Sequence, residues 1–207
     1  MSSRSRERSA VTLDDFLKWP EQAPYLEFHQ GRVEPKVSPR AKHSLLTLRV
    51  IEHLNGAAEP SRIGLALPEL RCTFGGRSII PDIVFLLRDH IALDPHGEPL
   101  DDVTRAPDLH IEIISPKQDV RKSQRNLKHS LAHGCPLGWM VHPDQRTVRV
   151  FRPGEPVRVL GLDGVLEGGP VLPGLRLPVS ELFGWLRLGT PAPGSEKPPA
   201  DPGIPST

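Results

Sequence analysis

The sequence predicts a mixed α/β fold in which helices flank a central mixed β-sheet. Three observations lead to this prediction. The segment 39–54 carries apolar residues at helical spacing. The segments 79–87 and 109–114 are short and rich in Ile, Val, Leu and Phe, as buried strands are. Helical and strand-like segments are interleaved along the chain, without a repeat or an internal linker, as in a layered α/β domain.

The ordered part of the chain is predicted to open with a short helix and a hairpin. Thr12 followed by Asp15 is typical of a helix cap, and the residues behind it are apolar at helical spacing. The segments 25–28 and 32–35 then read as two strands joined by a turn at Gly31.

The next helix is predicted to start at Ser38 and Pro39, a capping residue followed by Pro in the first turn. Leu46, Val50 and Leu54 lie on one face of it. Gly56 is expected to end it.

Strands and one polar helix follow. The segments 67–74 and 79–87 are predicted to form two strands around the turn Gly75-Gly76. A third strand covers 109–114, and a polar helix covers about 120–133 and stops at Gly134.

The C-terminal part is predicted to contain a hairpin, with strands at 139–142 and 147–151 around a turn at 143–146. An irregular strand and a short closing helix are expected within 171–186. The predicted domain therefore spans residues 11–187, between a disordered basic arm at 1–10 and a disordered Pro- and Gly-rich tail at 188–207.

Composition bounds the function only loosely. The 207 residues include 26 basic and 25 acidic side chains, a net charge of +1 that gives no sign of a general nucleic-acid binder. No run approaches the roughly 20 apolar residues that cross a membrane, and residues 1–9 have no apolar run behind them, so no secretory signal is expected. Cys72 and Cys135 are far apart and predict buried thiols in a reducing cytoplasm. We therefore expect a cytoplasmic protein.

Two carboxylates interrupt strand-like apolar runs. Asp82 follows Pro81 within 79–85, and Glu112 lies within 109–114, where side-chain alternation places His110 on the same face. A buried carboxylate needs a partner or a cation, and two convergent carboxylates suit a hard ion such as Mg²⁺. The alternative is that each acid pairs with an Arg or Lys, or lies at a solvated strand end.

Several motifs, in order along most of the chain, resemble the Uma2 family. They are Pro81-Asp82, the run Ala-Pro-Asp-Leu-His-Ile-Glu-Ile-Ile-Ser-Pro at 106–116, the opening helix at 11–17, the segment Leu-Glu-Phe-His-Gln-Gly at 26–31, Ser38-Pro39 followed by His43, the run at 133–143 and Val-Leu-Pro-Gly-Leu at 171–175. The Uma2 family resembles the PD-(D/E)XK nucleases, the fold of many restriction enzymes. The resemblance therefore implies a restriction-endonuclease-like core.

The resemblance also implies site residues and an activity. Asp82 and Glu112 match the metal-binding acids, and Glu27 matches a helper acid. The implied reaction is hydrolysis of phosphodiester bonds, in DNA, with Mg²⁺ or Mn²⁺ as the cofactor. For His43, the sequence favours a structural role over contact with the site.

The expected catalytic Lys is where this sequence departs from the family. It usually comes from the helix after the second acid, and the matching position here is Asn126. Lys122 lies one helical turn earlier on the same face, so we expect it to be a displaced catalytic Lys. The alternative is an impaired relative that binds nucleic acid or protein without catalysis. By analogy with nucleases of this fold, we expect a homodimer.

Overall fold

The computed structural model describes residues 11–36, 38–116 and 119–189. The predicted basic arm and all of the predicted tail except residues 188 and 189 lie outside these ranges. The helices are α1 (Leu13–Leu17), α2 (Ala41–Ala58), α3 (Val120–Ala132) and α4 (Val179–Gly184). The strands are β1 (Leu26–His29), β2 (Arg32–Pro35), β3 (Gly64–Pro68), β4 (Cys72–Phe74), β5 (Arg77–Ile79), β6 (Ile83–Leu87), β7 (Leu109–Ile113), β8 (Leu137–His142), β9 (Thr147–Phe151), β10 (Arg158–Leu160), β11 (Val165–Glu167) and β12 (Arg176–Pro178).

A six-stranded mixed sheet forms the centre of the fold, in the order β10-β9-β8-β7-β6-β3. Its pairs are antiparallel except β7 and β8, which run parallel. A parallel pair needs a crossover connection, and α3 supplies it. The prediction of a mixed α/β fold with a central mixed sheet and flanking helices is confirmed.

The two faces of this sheet are packed differently. One face carries Leu109, Ile111 and Ile113 of β7 and belongs to the large core that includes the apolar side of α2. On the opposite face, Met140 and Phe151 pack against Leu127 of α3. Because side chains alternate along a strand, His110 and Glu112 lie on the α3 side.

A second, antiparallel sheet has the order β2-β1-β5-β4. The β1–β2 hairpin turns at Gln30 and Gly31, whose φ angles of 48° and 84° are the positive values that a tight two-residue hairpin requires. A short β11–β12 ribbon precedes α4. In the described residues, no helix is long and apolar enough to cross a membrane.

Two details of the predicted α2 are wrong. The helix starts after Arg40 without a side-chain cap from Ser38, and it continues through Gly56 to Ala58. Leu54 and Ala58 are both fully buried. Burial of this apolar face outweighs the roughly 1 kcal/mol by which a Gly weakens a helix.

The two long strands predicted around Gly75-Gly76 are also wrong in extent. Each one is broken in two: β4 and β5 form the hairpin in the second sheet, whereas β3 and β6 pair with each other in the central sheet. One break lies at Pro81, which cannot donate a ladder hydrogen bond. Asp82 therefore lies between β5 and β6, where the chain passes from one sheet to the other, and not inside a strand.

Candidate active site

A small polar cavity of about 60 Å³ lies where the β1–β2 hairpin, the junction before β6, strand β7 and the first turns of α2 and α3 come together. The acidic and basic residues that line it are Glu27, Lys36, Asp82, Glu112, Asp119 and Lys122. The structure thus brings all four sequence-predicted site residues into one cavity, together with Lys36, which the sequence reasoning missed.

Asp82 is buried, with 3% of its surface exposed, and is held from three sides. Its Oδ2 accepts a hydrogen bond of 2.8 Å from the backbone N–H of Ile113 and lies 2.9 Å from His43 Nε2. Its Oδ1 accepts a 2.7 Å hydrogen bond from Lys36 Nζ. Burial acts to raise the pKa of Asp82, but the Lys36 charge and the His43 contact outweigh it and lower that pKa below its ordinary value. Asp82 is therefore an ionised carboxylate at neutral pH.

Glu112 is buried on β7 and has only weak charge compensation. Its Oε1 lies 2.9 Å from His110 Nε2, and the His110 Nδ1 atom lies 2.7 Å from Ser130 Oγ of α3. Burial, and next the negative charge of Asp82, raise the pKa of Glu112 above its ordinary value. The two carboxylates are thus close enough for the charge of one to disfavour ionisation of the other.

Glu27 lies on β1 and faces α3. Its Oε1 accepts hydrogen bonds from the backbone N–H of Ile80 at 2.9 Å and from Asn126 Nδ2 at 3.2 Å. Its Oε2 lies 2.7 Å from Lys122 Nζ, an ion pair without good hydrogen-bond alignment. Burial acts to raise the pKa of Glu27, but His29, Lys122 and the Ile80 N–H outweigh it and lower that pKa to about 2.

The comparisons with known proteins fit this fold and this cavity. Residues 13–180 match the profile of the Uma2 family, which is described as "Putative restriction endonuclease". The chain belongs to the Uma2 family. A crystal structure described as a "putative nuclease" from Anabaena variabilis is similar to this chain, with 38% identity, a TM-score of 0.83, and coverage of 86% of this chain and 99% of that one. No curated protein matches the chain. The two descriptions indicate a nuclease-like function.

The lysines of this Uma2 cavity do not occupy the helix position at which the family pattern places a lysine. Asn126, at the usual Lys position, is a neutral donor to Glu27. Lys122 reaches the cavity as the sequence predicted, but its Nζ pairs with Glu27 and donates to the carbonyl of Pro35 at 2.9 Å. Lys36 instead contacts Asp82, and its Nζ also donates to the carbonyl of Ile80 at 2.7 Å. Of the two acids for which pairing with an Arg or Lys was the alternative, Asp82 has such a partner in Lys36, whereas Glu112 contacts His110.

No local pattern singles out Lys36, because it follows an ordinary strand and its acidic partner is 46 residues away. Only the proximity of the hairpin end to the β5–β6 junction makes the contact. His43, for which the sequence favoured a structural role, lies in the first turn of α2 with its Nε2 at Asp82. Its spacing from Ser38-Pro39 was the one signal for this position.

The donor set of this Uma2 site fits a hard divalent cation. Asp82 and Glu112 offer carboxylate oxygens, the ligands that Mg²⁺ and Mn²⁺ prefer. A cation beside both would relieve the repulsion that raises the pKa of Glu112. The described residues contain no group of three or more His, Cys, Asp or Glu side chains arranged to hold a metal. Such sparse protein ligation suits Mg²⁺, which is often held by one or two carboxylates together with waters and substrate phosphates.

Proposed function

We propose that this Uma2 protein is a divalent-metal-dependent endonuclease that hydrolyses phosphodiester bonds in DNA. The observation that carries the proposal is the convergence of Asp82 and Glu112 in one cavity that is also lined by Lys36 and Lys122. Carboxylates suit the metal, and ammonium groups suit the phosphate.

Asp82 and Glu112 are the residues that would hold Mg²⁺ or Mn²⁺. The bound cation would supply positive charge that polarises the phosphate and activates the attacking water. The protein holds Asp82 in place through the Ile113 N–H and His43, and it holds Glu112 through His110 and Ser130. These supporting contacts fix the carboxylate positions before substrate arrives, which lowers the cost of ordering them during the reaction.

The cavity holds two positive groups that could contact a phosphate, although the net charge of the chain is only +1. Lys36 and Lys122 are 12% and 16% exposed at the cavity, respectively. Residues from the first turns of α2 and α3 line it as well, and helix N-termini attract negative charge. Once a bound cation offsets the carboxylates, these groups would add to the attraction of a phosphate toward Asp82 and Glu112.

A second candidate function is a binding module that keeps the nuclease fold without the chemistry. Two observations favour it: Asn126 replaces the usual Lys, and both Asp82 and Glu27 already have lysine partners. In that case Lys36 and Lys122 neutralise Asp82 and Glu27 permanently, and no metal ion is needed at those two carboxylates.

The test is cleavage of supercoiled and single-stranded DNA with Mg²⁺ or Mn²⁺, comparing the wild type with Asp82→Asn. The matched control is Asp163→Asn, which changes an exposed acid in the turn between β10 and β11. We expect metal-dependent nicking by the wild type and the control, and its loss in the Asp82 variant. Absence of nicking by folded wild-type protein, with both metals and both substrates, would refute the nuclease proposal and favour the binding module.

The expected homodimer and the cytoplasmic location stay predictions. Light scattering with size-exclusion chromatography measures the first: a mass near twice the chain mass of 22.9 kDa is expected, and a mass near that of one chain contradicts it. Cell fractionation measures the second.

A further inference from the structure

Among the lysines of the described residues, Lys36 is the one whose Nζ contacts a candidate metal ligand. Its Nζ is 2.7 Å from Asp82 Oδ1, whereas the Nζ of Lys122 is 2.7 Å from Glu27. The charge of Lys36 also lowers the pKa of Asp82 strongly and opposes the rise in the pKa of Glu112. Lys36 is therefore the described cation that acts on both candidate metal ligands.

The position of Lys36 is fixed by its backbone. Its N–H donates to the carbonyl of Tyr25 at 2.7 Å, which continues the β1–β2 ladder by one more hydrogen bond. The side chain then crosses to the β5–β6 junction, where the carbonyl of Ile80 accepts a second bond from Nζ at 2.7 Å. A lysine held at both ends loses little further conformational freedom when it contacts a ligand.

An ammonium group has three N–H donors. In the described part of the chain, two of those of Lys36 have acceptors, on Asp82 and Ile80. The side chain is 12% exposed and lines the cavity, and its third donor has no acceptor among the described residues. A phosphate oxygen beside Asp82 would accept it.

We infer that Lys36 is the lysine that contacts the scissile phosphate in this protein, in the role that the family pattern gives to the helix position occupied here by Asn126. This inference rests on the proposed nuclease function. In the reaction, water attacks phosphorus and one P–O bond forms while the P–O bond to the leaving oxygen breaks with its electron pair. The attacking water loses its proton to solvent, and the leaving oxygen takes up a proton from solvent. Lys36 keeps its proton throughout and donates a hydrogen bond to a non-bridging oxygen, where negative charge builds up.

The roles of Lys36 and Lys122 then differ. Lys122 pairs with Glu27, and Asn126 donates a hydrogen bond to it. Glu27 also accepts a hydrogen bond from the backbone N–H of Ile80. Ile80 is also the residue whose carbonyl holds Lys36. The α3 side of the cavity thus supports the segment on which Lys36 is anchored.

The test compares single-turnover cleavage rates at saturating DNA and Mn²⁺ for the wild type, Lys36→Met, Lys122→Met and Lys18→Met. Lys18 is exposed at the end of α1 and outside the cavity, so it controls for the lost charge. We expect Lys36→Met to cleave about 100- to 1000-fold more slowly, the usual effect of removing one preorganised donor to a developing oxyanion. Lys18→Met should cleave like the wild type, and Lys122→Met should lose less than Lys36→Met.

A double variant, Lys36→Met with Asn126→Lys, returns the charge to the helix. It should recover at least tenfold of the lost rate, and because it restores a cation to the cavity it also serves if Lys36→Met alone fails to fold. Mn²⁺ affinity, measured by calorimetry, gives a readout apart from turnover. It should be equal or higher in Lys36→Met, because Lys36 competes for Asp82 Oδ1.

Three results would overturn the inference while leaving the proposed function standing. They are a Lys36→Met rate at saturating DNA within about threefold of the wild type, a loss of Mn²⁺ affinity that accounts for the slow cleavage, and a folded double variant with no recovered rate. Absence of cleavage by the wild type is the different result that removes the proposed function, and the inference with it.

Discussion

Replacing Glu27 by Gln tests whether the ion pair between β1 and α3 is a main support of the site. The carboxyl is 2% exposed and contacts Ile80, Asn126 and Lys122. Gln keeps one oxygen that can accept the Ile80 N–H, but its amide NH₂ then faces the Lys122 ammonium. The Gln amide and the Lys122 ammonium are both hydrogen-bond donors, and they would face each other in a buried region. The variant therefore loses the ion pair without gaining another interaction.

The size of the effect follows from the pKa of Glu27, which is about 2 in the folded protein against an ordinary value of 4.5. A tenfold change in an acidity constant corresponds to about 1.4 kcal/mol, so the ionised carboxylate contributes about 3 kcal/mol at pH 7. Because the folded pKa is the lower one, the contribution is fully present above pH 4.5 and is lost as the pH falls toward 2. At pH 3 less than half of it should remain.

Urea unfolding, followed by the fluorescence of the fully buried Trp139, measures the free energy of unfolding at pH 7 and at pH 3. Glu27→Gln should lose about 3 kcal/mol at pH 7 and less than half of that at pH 3. The matched control is Glu21→Gln, which breaks an exposed ion pair to Arg71 and should cost less than about 1 kcal/mol. A loss below about 1 kcal/mol at pH 7 for Glu27→Gln, or the same loss at both pH values, would refute the reasoning.

Three further predictions concern Glu112 in the site and two positions elsewhere in the fold. Glu112→Gln should raise the melting temperature of the metal-free protein at pH 7. The pKa of Glu112 is raised in the folded protein, so above pH 4.5 its ionisation destabilises the fold, and Gln removes that ionisation. The same variant should abolish any rise in melting temperature on adding Mn²⁺. His129→Gln should flatten the loss of stability between pH 6.5 and 4 in urea titrations, because burial lowers the pKa of His129 to about 4 and the unfolded chain takes up the proton first. Gly138→Ala should cost about 1–3 kcal/mol in urea unfolding, because its Cβ would lie 2.8 Å from the buried Leu127 side chain.

Local sequence signals predicted the elements whose limits are set locally. Gly134 follows the end of α3 closely, and the turn at 143–146 joins β8 and β9 as predicted. The predicted cap at Thr12 is confirmed by the hydrogen bond that its Oγ1 accepts from the N–H of Asp15. In each case the residues that gave the prediction lie within a few residues of the helix end or turn that they predicted.

The elements that were missed depend on packing at a distance. Apolar alternation in 67–74 and 79–87 cannot say that each run divides between two sheets, because strand residues look alike in both. Strands β10 and β11 went unpredicted because they are three residues long, and Val159 is 62% exposed, which leaves little apolar pattern. The contact of Lys36 with Asp82 likewise has no local signature.

The acids of the site were easier to find than its cations, and burial explains the difference. A carboxylate within an apolar strand stands out in a sequence because its burial costs several kcal/mol and needs compensation. The compensating lysine needs no such setting: Lys36 comes from a polar hairpin end and reaches a buried acid through a long flexible side chain. A cation can therefore shift from α3 to the hairpin while the strands that carry Glu27 and Glu112 stay unchanged. In a Uma2 sequence such as this one, the absence of the helix lysine is therefore weak evidence of a lost activity, because the hairpin supplies a lysine to the same cavity.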